Sequence, residues 1–379
     1  MTEQRFSVSR MIFGAFLVFI VALFVKNSQL AIEFVNKGLL LCARVMIPTL
    51  FPFMVIAEII VRSGVGEMLS RPLCRALRPA LGVGEEGMCA LTLGVLCGFP
   101  VGARTASAYY RNGKLSKREL HQIICCGNIP SSAFVVGAVG TGLFGDVRLG
   151  WILFTMALCA AFLTGCIFRK ILPHGGNWDA IPSRSGKTTP GRETDFSFHL
   201  GMFSESVTGA ASSMLNVCAT VILFSALIGC LTSFCDALLL PPVVRTLVFG
   251  LFEMTTGVCE ASALSGGTTA LLLCAAFLGW AGLSVHCQIF SVCTECPLSL
   301  GWFWLSRLMQ TGFCLGGMTL LTLTGMFDSL NVPRPLHSTF SETLGGGAKI
   351  SLVGTVFLIF FLIASVAWIV RIRQRKRVG

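Results

Sequence analysis

The chain has 379 residues, of which 54% are hydrophobic and only 12% carry a charged side chain, and its mean hydropathy is +0.78. Soluble domains carry about 25% charged residues, so this composition excludes an ordinary soluble domain and indicates a polytopic membrane protein. The net charge of +11 comes from clustered basic residues, which membrane topology and anionic lipid headgroups explain better than nucleic-acid binding. The lipid bilayer is therefore an expected partner, and nucleic acid is not.

Six apolar stretches are predicted to form membrane-spanning helices, because a helix needs about 20 apolar residues to cross a bilayer. The first follows Arg5 and Arg10, as a signal peptide would, but no small-residue cleavage site follows Val25, so a retained helix is predicted. In chain order the stretches are 11–25, 45–61, 151–168, 215–234, 300–327 and 350–370.

Four basic clusters set the predicted topology, because the positive-inside rule places them in the cytoplasm. The loops near Asp146, Asp236 and Asp328 are then expected outside, and the C-terminal RIRQRKR tail is expected inside. The stretches 45–61 and 215–234 consequently run in opposite directions. The clusters lie at residues 62–78, 104–118, 169–192 and 371–377.

Helix breakers interrupt the first half of the chain. The segment 86–112 has cytoplasmic charge on both sides, so a re-entrant hairpin is predicted, with Gly98, Pro100 and Gly102 at its turn. Arg104 is interpreted as a marker of the cytoplasmic side in preference to a substrate ligand. An amphipathic interfacial segment is predicted before the hairpin, and the crossing after it, 114–145, is interrupted by GNIPSS.

The two halves of the chain resemble each other in four short patterns that occur in the same order, about 151 to 156 residues apart. LTLGVL (91–96) resembles LVFGLF (247–252), and ASA occurs at 106–108 and 261–263. Gly127 aligns with Gly282, and LGW occurs at 149–151 and 300–302. Together with the opposite directions of 45–61 and 215–234, these matches predict inverted repeats, a construction used by secondary transporters.

The predicted fold class is therefore an all-α polytopic membrane protein. It has two inverted repeats, each with a re-entrant hairpin and a broken helix, plus additional N- and C-terminal transmembrane helices. The predicted divisions are an N-terminal helix with an interfacial segment (1–44), the first repeat (45–172), a polar cytoplasmic linker (173–199), the second repeat (200–327), an extracytoplasmic loop (328–348) and a C-terminal helix with a basic cytoplasmic tail (349–379).

The strongest candidate for a functional side chain is Glu253, because a carboxylate within a membrane segment is costly and marks a polar pathway by default. It opens the stretch EMTTG, in which Thr255 and Thr256 follow. The alternative is that Glu253 faces water at the outer end of the second hairpin.

Two further polar groups complete the candidate substrate site. Side chains and freed carbonyls of GNIPSS could bind a cation or polar solute, or they could only satisfy the backbone that Pro130 interrupts. In GLSVHCQ the polar residues alternate, which aligns them on an unwound segment and splays them on a regular helix. The candidate residues are Gly98, Pro100, Gly102, Asn128, Ser131, Ser132, Glu253, Thr255, Thr256, Ser284, His286 and Gln288.

The sequence contains no G-x-S-x-G, Walker or H-E-x-x-H pattern, so neither an enzyme nor a cofactor is expected. The 17 cysteines fall mostly in apolar runs, where they act as small apolar residues and not as a disulfide framework. A zinc site at Cys293 and Cys296 is disfavoured because CTEC has no partner pair.

The stretch from GFPVGARTASAYY to GNIPSSAFVVGAVGTGLFG, with EMTTG and GLSVHCQ, resembles YlbJ-type sporulation integral membrane proteins over residues 30–330. That family carries the nucleoside-recognition Gate domain, which is similar to parts of concentrative nucleoside transporters. The resemblance implies a bacterial cytoplasmic membrane, a role in endospore formation and one cavity lined by the motifs above. It does not carry over the transporters' nucleobase-binding or sodium-binding residues.

The expected function is a secondary transporter or permease for a small polar or ionic solute, with a nucleoside-like solute left open. The alternative is a non-transporting membrane scaffold required for spore cortex or coat assembly. Oligomerisation is left open in both cases.

Overall fold

The computed structural model describes residues 8–181, 200–264 and 267–325, and all regular structure in these ranges is helical. The predicted C-terminal helix and the loop before it lie outside the described residues, as does most of the polar linker. The α-helices are α1 (Val8–Lys26), α2 (Ser28–Leu41), α3 (Ile47–Arg62), α4 (Val65–Leu81), α5 (Glu85–Cys97), α6 (Val101–Arg111), α7 (Lys117–Cys126), α8 (Val147–Ile171), α9 (Leu200–Ala237), α10 (Pro242–Phe252), α11 (Met254–Ser262), α12 (Gly267–Trp280), α13 (Gly282–Val292) and α14 (Leu300–Leu323).

One long helical path opens the first half. The backbone stays right-handed helical from α2 through a π-helical stretch, Cys42–Met46, into α3. Pro48 has no N–H to donate to the carbonyl four residues earlier, so the wider π-helical hydrogen bonding falls just before it. The path packs antiparallel to α9, since Gly38 lies against Ser225 and Arg62 pairs with Glu205. The predicted opposite directions of 45–61 and 215–234 agree with this packing.

The rest of the first half is α4, a helical hairpin, an interrupted helix and a long helix. The hairpin is α5 and α6, joined by a turn at Gly98, Phe99 and Pro100. A capping box at Ser116 and Glu119 begins α7, which ends before Gly127. After a non-helical break the chain continues as the π-helical stretch Ala133–Leu143 and then α8.

Apart from α4, which has no counterpart between α9 and α10, the second half repeats this order of elements. The helices α10 and α11 meet at Glu253, whose backbone is extended. The helices α12 and α13 meet at Ala281 and Gly282, which both have positive φ, and α14 follows as the long helix. The colinear sequence matches thus fall on elements of the same kind.

Close helix packing depends on glycine in both hairpins. A Cβ built on Gly94 would lie 2.1 Å from the carbonyl oxygen of Gly127 and 3.1 Å from the Cα of Gly102. In the second hairpin a Cβ on Gly257 would lie 2.2 Å from the Cα of Gly250. Small residues let helix backbones approach, as in other membrane helix pairs.

Three helical stretches of the described chain are long and apolar enough to cross a membrane, and bent helix pairs raise this number to at most five. The stretches are α8, Gly201–Ala237 of α9, and Gly267–Val292 of α12 and α13. The bent pairs are Met11–Lys26 with Ser28–Met46, at 90°, and α4 with α5, at 96°. The predicted spans 151–168 and 215–234 lie within two of these stretches, whereas 45–61 forms part of the longer α2–α3 path.

Candidate functional site

Each half contains two interruptions, a hairpin turn and a helix break, and these two interruptions are in contact. Gly98 at the first hairpin turn has a φ of +78°, and a Cβ built there would lie 2.7 Å from the backbone nitrogen of Ser131. Gly282 at the second broken helix has a φ of +77°, and a Cβ there would lie 2.7 Å from the backbone nitrogen of Met254. In each half, the hairpin turn therefore touches the break of the helix that follows it.

A small central cavity lies where these two pairs meet. Its volume is about 40 Å³, which is room for about three water molecules. Both halves supply polar residues to it: Ser131 from the first, and Glu253, Thr255 and Gln288 from the second. The remaining wall is apolar and includes Val221, near the middle of α9. The complete lining is Leu41, Val45, Met46, Leu50, Gly98, Phe99, Pro130, Ser131, Phe134, Val221, Glu253, Met254, Thr255, Val285 and Gln288.

Glu253 is buried at this cavity, with 1% of its surface exposed. Its extended backbone places the side chain at the start of α11, where Oε2 accepts a 2.6 Å hydrogen bond from the backbone N–H of Thr256. The alternative of a water-facing glutamate at the outer end of the hairpin does not fit this burial. The bond caps the start of α11, because it gives one of the unpaired N-terminal N–H groups of that helix an acceptor.

A larger cavity of about 310 Å³ lies beside the central one and shares Leu41, Val45 and Thr255 with it. We call it the outer cavity. Thr256 and Glu260 of α11 line it opposite Lys37 of α2, whose ammonium group pairs with Glu33 at 2.7 Å. The outer cavity also includes Phe34, Gly38, Leu40, Ser225 and Cys259.

Several predicted site residues lie outside the lining of both cavities. The Oδ1 atom of Asn128 accepts from the backbone N–H of Ala103, and its Nδ2 donates to the carbonyl of Ile124. For Asn128, these bonds agree with the alternative in which GNIPSS side chains satisfy the backbone that Pro130 interrupts. Gly102 packs against Gly127, and Pro100 is the N-cap residue that precedes α6. Ser132 is buried next to Ser131 and likewise does not line either cavity.

Of the two alternatives for GLSVHCQ, the regular helix is the one observed, because Gly282–Val292 is helical and the chain is interrupted only at Ala281 and Gly282. The alternating polar side chains therefore splay. Gln288 lines the central cavity, whereas Nε2 of His286 donates to the Trp280 carbonyl at 2.8 Å. Ser284 is buried, and its hydroxyl has no hydrogen-bond partner among the described residues.

Arg104 links the two halves. Its guanidinium pairs with Glu58 of α3 at 3.2 Å and donates to the Gly209 carbonyl of α9 at 2.8 Å and to the Ser213 hydroxyl. Glu58 also pairs with Arg62, one turn later in α3, at 3.0 Å. Glu58, Arg62 and Arg104 line a third cavity, of about 490 Å³, which shares no lining residue with the central one.

Two further buried polar residues, Arg307 and Gln310 of α14, were not predicted from the sequence. Their side chains bond to carbonyls at the break after α7. The signal was an arginine inside LGWFWLSRLMQTGFC, since a charged residue within an apolar span marks a functional position by default. Because the stretch 300–327 is largely apolar, it was predicted only as a membrane-spanning helix, and Arg307 was not singled out.

All 17 cysteines are free thiols, and the described residues hold no cluster of three or more side chains suited to a metal ion. Cys293 is buried in the core, and Cys296 lies 3.1 Å from the Ser107 hydroxyl.

The apolar helices, their bent pairs and the buried polar centre define a multi-pass helical membrane protein. The chain is similar to the sporulation integral membrane protein YlbJ of Bacillus subtilis (strain 168), with 25% identity over 335 residues that cover 80% of each chain. This similarity supports the resemblance to YlbJ-type proteins. No protein-family model matches the chain, and no solved structure matches it. The Gate-domain relationship and its nucleoside link stay predictions.

Proposed function

We propose that this chain is a membrane protein of endospore formation that works as a secondary transporter or permease for a small polar or ionic solute. The sporulation role is inferred from the similarity to YlbJ. The permease role is inferred from one observation: the interruptions of both halves line a single small cavity, and the buried side chain of Glu253 is part of that lining.

The inverted-repeat arrangement is part of this proposal. The repeated order of hairpin, broken helix and long helix supports it, as does the antiparallel packing of the α2–α3 path against α9. In transporters of this construction, the binding site lies near the bilayer midplane, and the two halves move about it. The contact of the central cavity with Val221, near the middle of α9, supports a corresponding depth in this proposal.

The volumes of the two cavities and the acidic residues in them limit the classes of solute that could bind. A drug-sized ligand needs a pocket of about 300 Å³ or more, which the outer cavity matches and the central cavity does not. The conformation described here therefore encloses only an ion or a very small solute beside Glu253. Glu253 and Glu260 favour a cation, whereas a nucleoside-like solute would have to remain in the outer cavity or widen the central one.

A ligand screen on the purified protein tests the permease role. The unfolding temperature is measured with monovalent and divalent cations, small acids and nucleosides, for the wild type and Glu253→Gln. A ligand present at about 100 times its Kd stabilises the folded state by about 2.7 kcal/mol. We expect a cation to raise the unfolding temperature of the wild type, and Glu253→Gln to remove that rise.

Glu253→Gln is a suitable probe because its amide oxygen can still accept from Thr256, so the helix start is kept while the charge is lost. Glu295→Gln is the matched control, because Glu295 is exposed and pairs with Arg111 on the surface. Stabilisation that survives in Glu253→Gln would place the ligand elsewhere. For any hit, uptake into proteoliposomes by wild type and absence of uptake by Glu253→Gln would establish transport.

The second candidate is a non-transporting scaffold for spore envelope assembly. The pairing of buried polar groups favours it: Asn128 and His286 bond to backbone groups, and Glu253 caps α11. A scaffold would show no stabilising ligand in the screen, and Glu253→Gln would support normal spores. A permease would show a stabilising ligand in the screen, and Glu253→Gln would not support normal spores.

A further inference from the structure

Arg307 is a fully buried cation without a carboxylate partner among the described residues. Its exposed fraction is 0%, and its guanidinium carbon lies 5.5 Å from the centre of the Phe303 ring. An unpaired charge in such an environment is strongly unfavourable, so its other contacts must compensate.

Those contacts are with the broken end of α7. Nη1 of Arg307 donates to the carbonyl of Asn128 and Nη2 to the carbonyl of Cys125, each at 2.9 Å. Nε2 of Gln310 donates to the same Cys125 carbonyl at 2.7 Å. α14 of the second half therefore holds the point at which the first half's helix breaks.

The last carbonyls of a helix lack partners within it and carry the negative end of the helix dipole. In transporters with broken helices, such ends bind the dissociable ion. At the end of α7, the guanidinium of Arg307 lies where such an ion would bind. The corresponding end of α12 differs, since its Trp280 carbonyl is bonded by His286.

We propose that Arg307 is a built-in cation for the broken helix α7, and that this break consequently binds no dissociable metal ion. The inference goes beyond the proposed function because it assigns the charge at this break whether or not the protein transports a solute. For a permease, it confines any ion coupling to the Glu253 side of the cavity.

Chemical rescue by guanidinium tests the inference. Unfolding temperatures of the full-length protein in detergent are measured in choline chloride for wild type, Arg307→Ala, Arg307→Lys and Arg307→Met. We expect Arg307→Ala to unfold about 5 °C lower or more, because two buried carbonyls lose their donors. Millimolar guanidinium should raise its unfolding temperature again, and Arg307→Lys should be more stable than Arg307→Met.

Arg148→Ala is the matched control, because Arg148 is exposed at the start of α8, and guanidinium should leave its unfolding temperature unchanged. The inference is overturned if guanidinium does not restore Arg307→Ala, or if the lysine and methionine variants are equally unstable. If Arg307→Ala does not fold, its yield of monodisperse protein, with and without guanidinium during solubilisation, gives the same decision. No solute is present, so the result is independent of the ligand screen.

Discussion

Gly98 and Gly282 show how single residues shape the cavity. Each has a φ near +78°, a left-handed conformation that is unfavourable for other residues, and each lies against backbone of the neighbouring interruption. The requirement is thus both conformational and steric. A side chain at either position would push apart the two segments that close the central cavity.

We predict that Gly98→Ala lowers the free energy of unfolding by about 2 to 4 kcal/mol, because the left-handed conformation and the contact with Ser131 both become unfavourable. Thermal or denaturant unfolding followed by tryptophan fluorescence measures the loss. Gly175→Ala is the matched control: Gly175 has nearly the same backbone conformation, with φ +81° and ψ 169° against +78° and −174° at Gly98, but no atom within 4 Å of a Cβ. Equal losses in the two variants would contradict the steric part of the argument.

At the scale of elements, charged groups join the first half to the second. Arg62 of α3 bonds Glu205 of α9 at 2.7 Å, while Glu58 bonds both Arg62 and Arg104. Movement of the halves about the central cavity would have to open this group of contacts. Its position beside the basic cluster 62–78 assigns it to the cytoplasmic side under the predicted topology.

A double-mutant cycle of Glu58→Gln and Arg104→Met measures this link. We expect a coupling of about 0.5 to 1 kcal/mol, because the side chains are only 17% and 23% exposed. The pair Glu33–Lys37 within α2 is the control, since both side chains are more than half exposed. Its coupling should be about 0.3 to 0.5 kcal/mol. A Glu58–Arg104 coupling no larger than that would exclude a substantial contribution from the link.

For the whole molecule, the prediction concerns orientation in the membrane. Reporter fusions after Gly113, between α6 and α7, should give green fluorescent protein signal and no alkaline phosphatase activity, because basic residues surround that loop. Fusions after Leu239, between α9 and α10, should give the opposite result. If fusions at Gly113 and at Leu239 gave the same signal, the two loops would lie on the same side of the membrane, which would contradict the inverted arrangement of the halves.

The helical elements were predictable because their causes are local. Apolar length predicted α8 and most of α9, and the glycine and proline residues of CGFPVG and GNIPSS predicted interruptions that the structure contains. Local pattern did not decide the conformation of GLSVHCQ, where three alternating polar residues are compatible with an unwound segment and with a regular helix. There the break is set by Ala281 and Gly282, and the helix afterwards buries Ser284 and His286 through contacts with distant elements.

The composition and order of residues determined, by themselves, that this is an all-helical membrane protein with interrupted helices in two similar halves, because hydrophobic length, charge placement and helix breakers act within a segment. For the same reason, the sequence indicated Glu253 as an acidic residue within an apolar segment. Only the tertiary structure decided which polar residues meet. Gln288 reaches the cavity and Asn128 does not, and Arg307 contacts a break about 180 residues away, because packing between helices depends on distances that no single segment encodes.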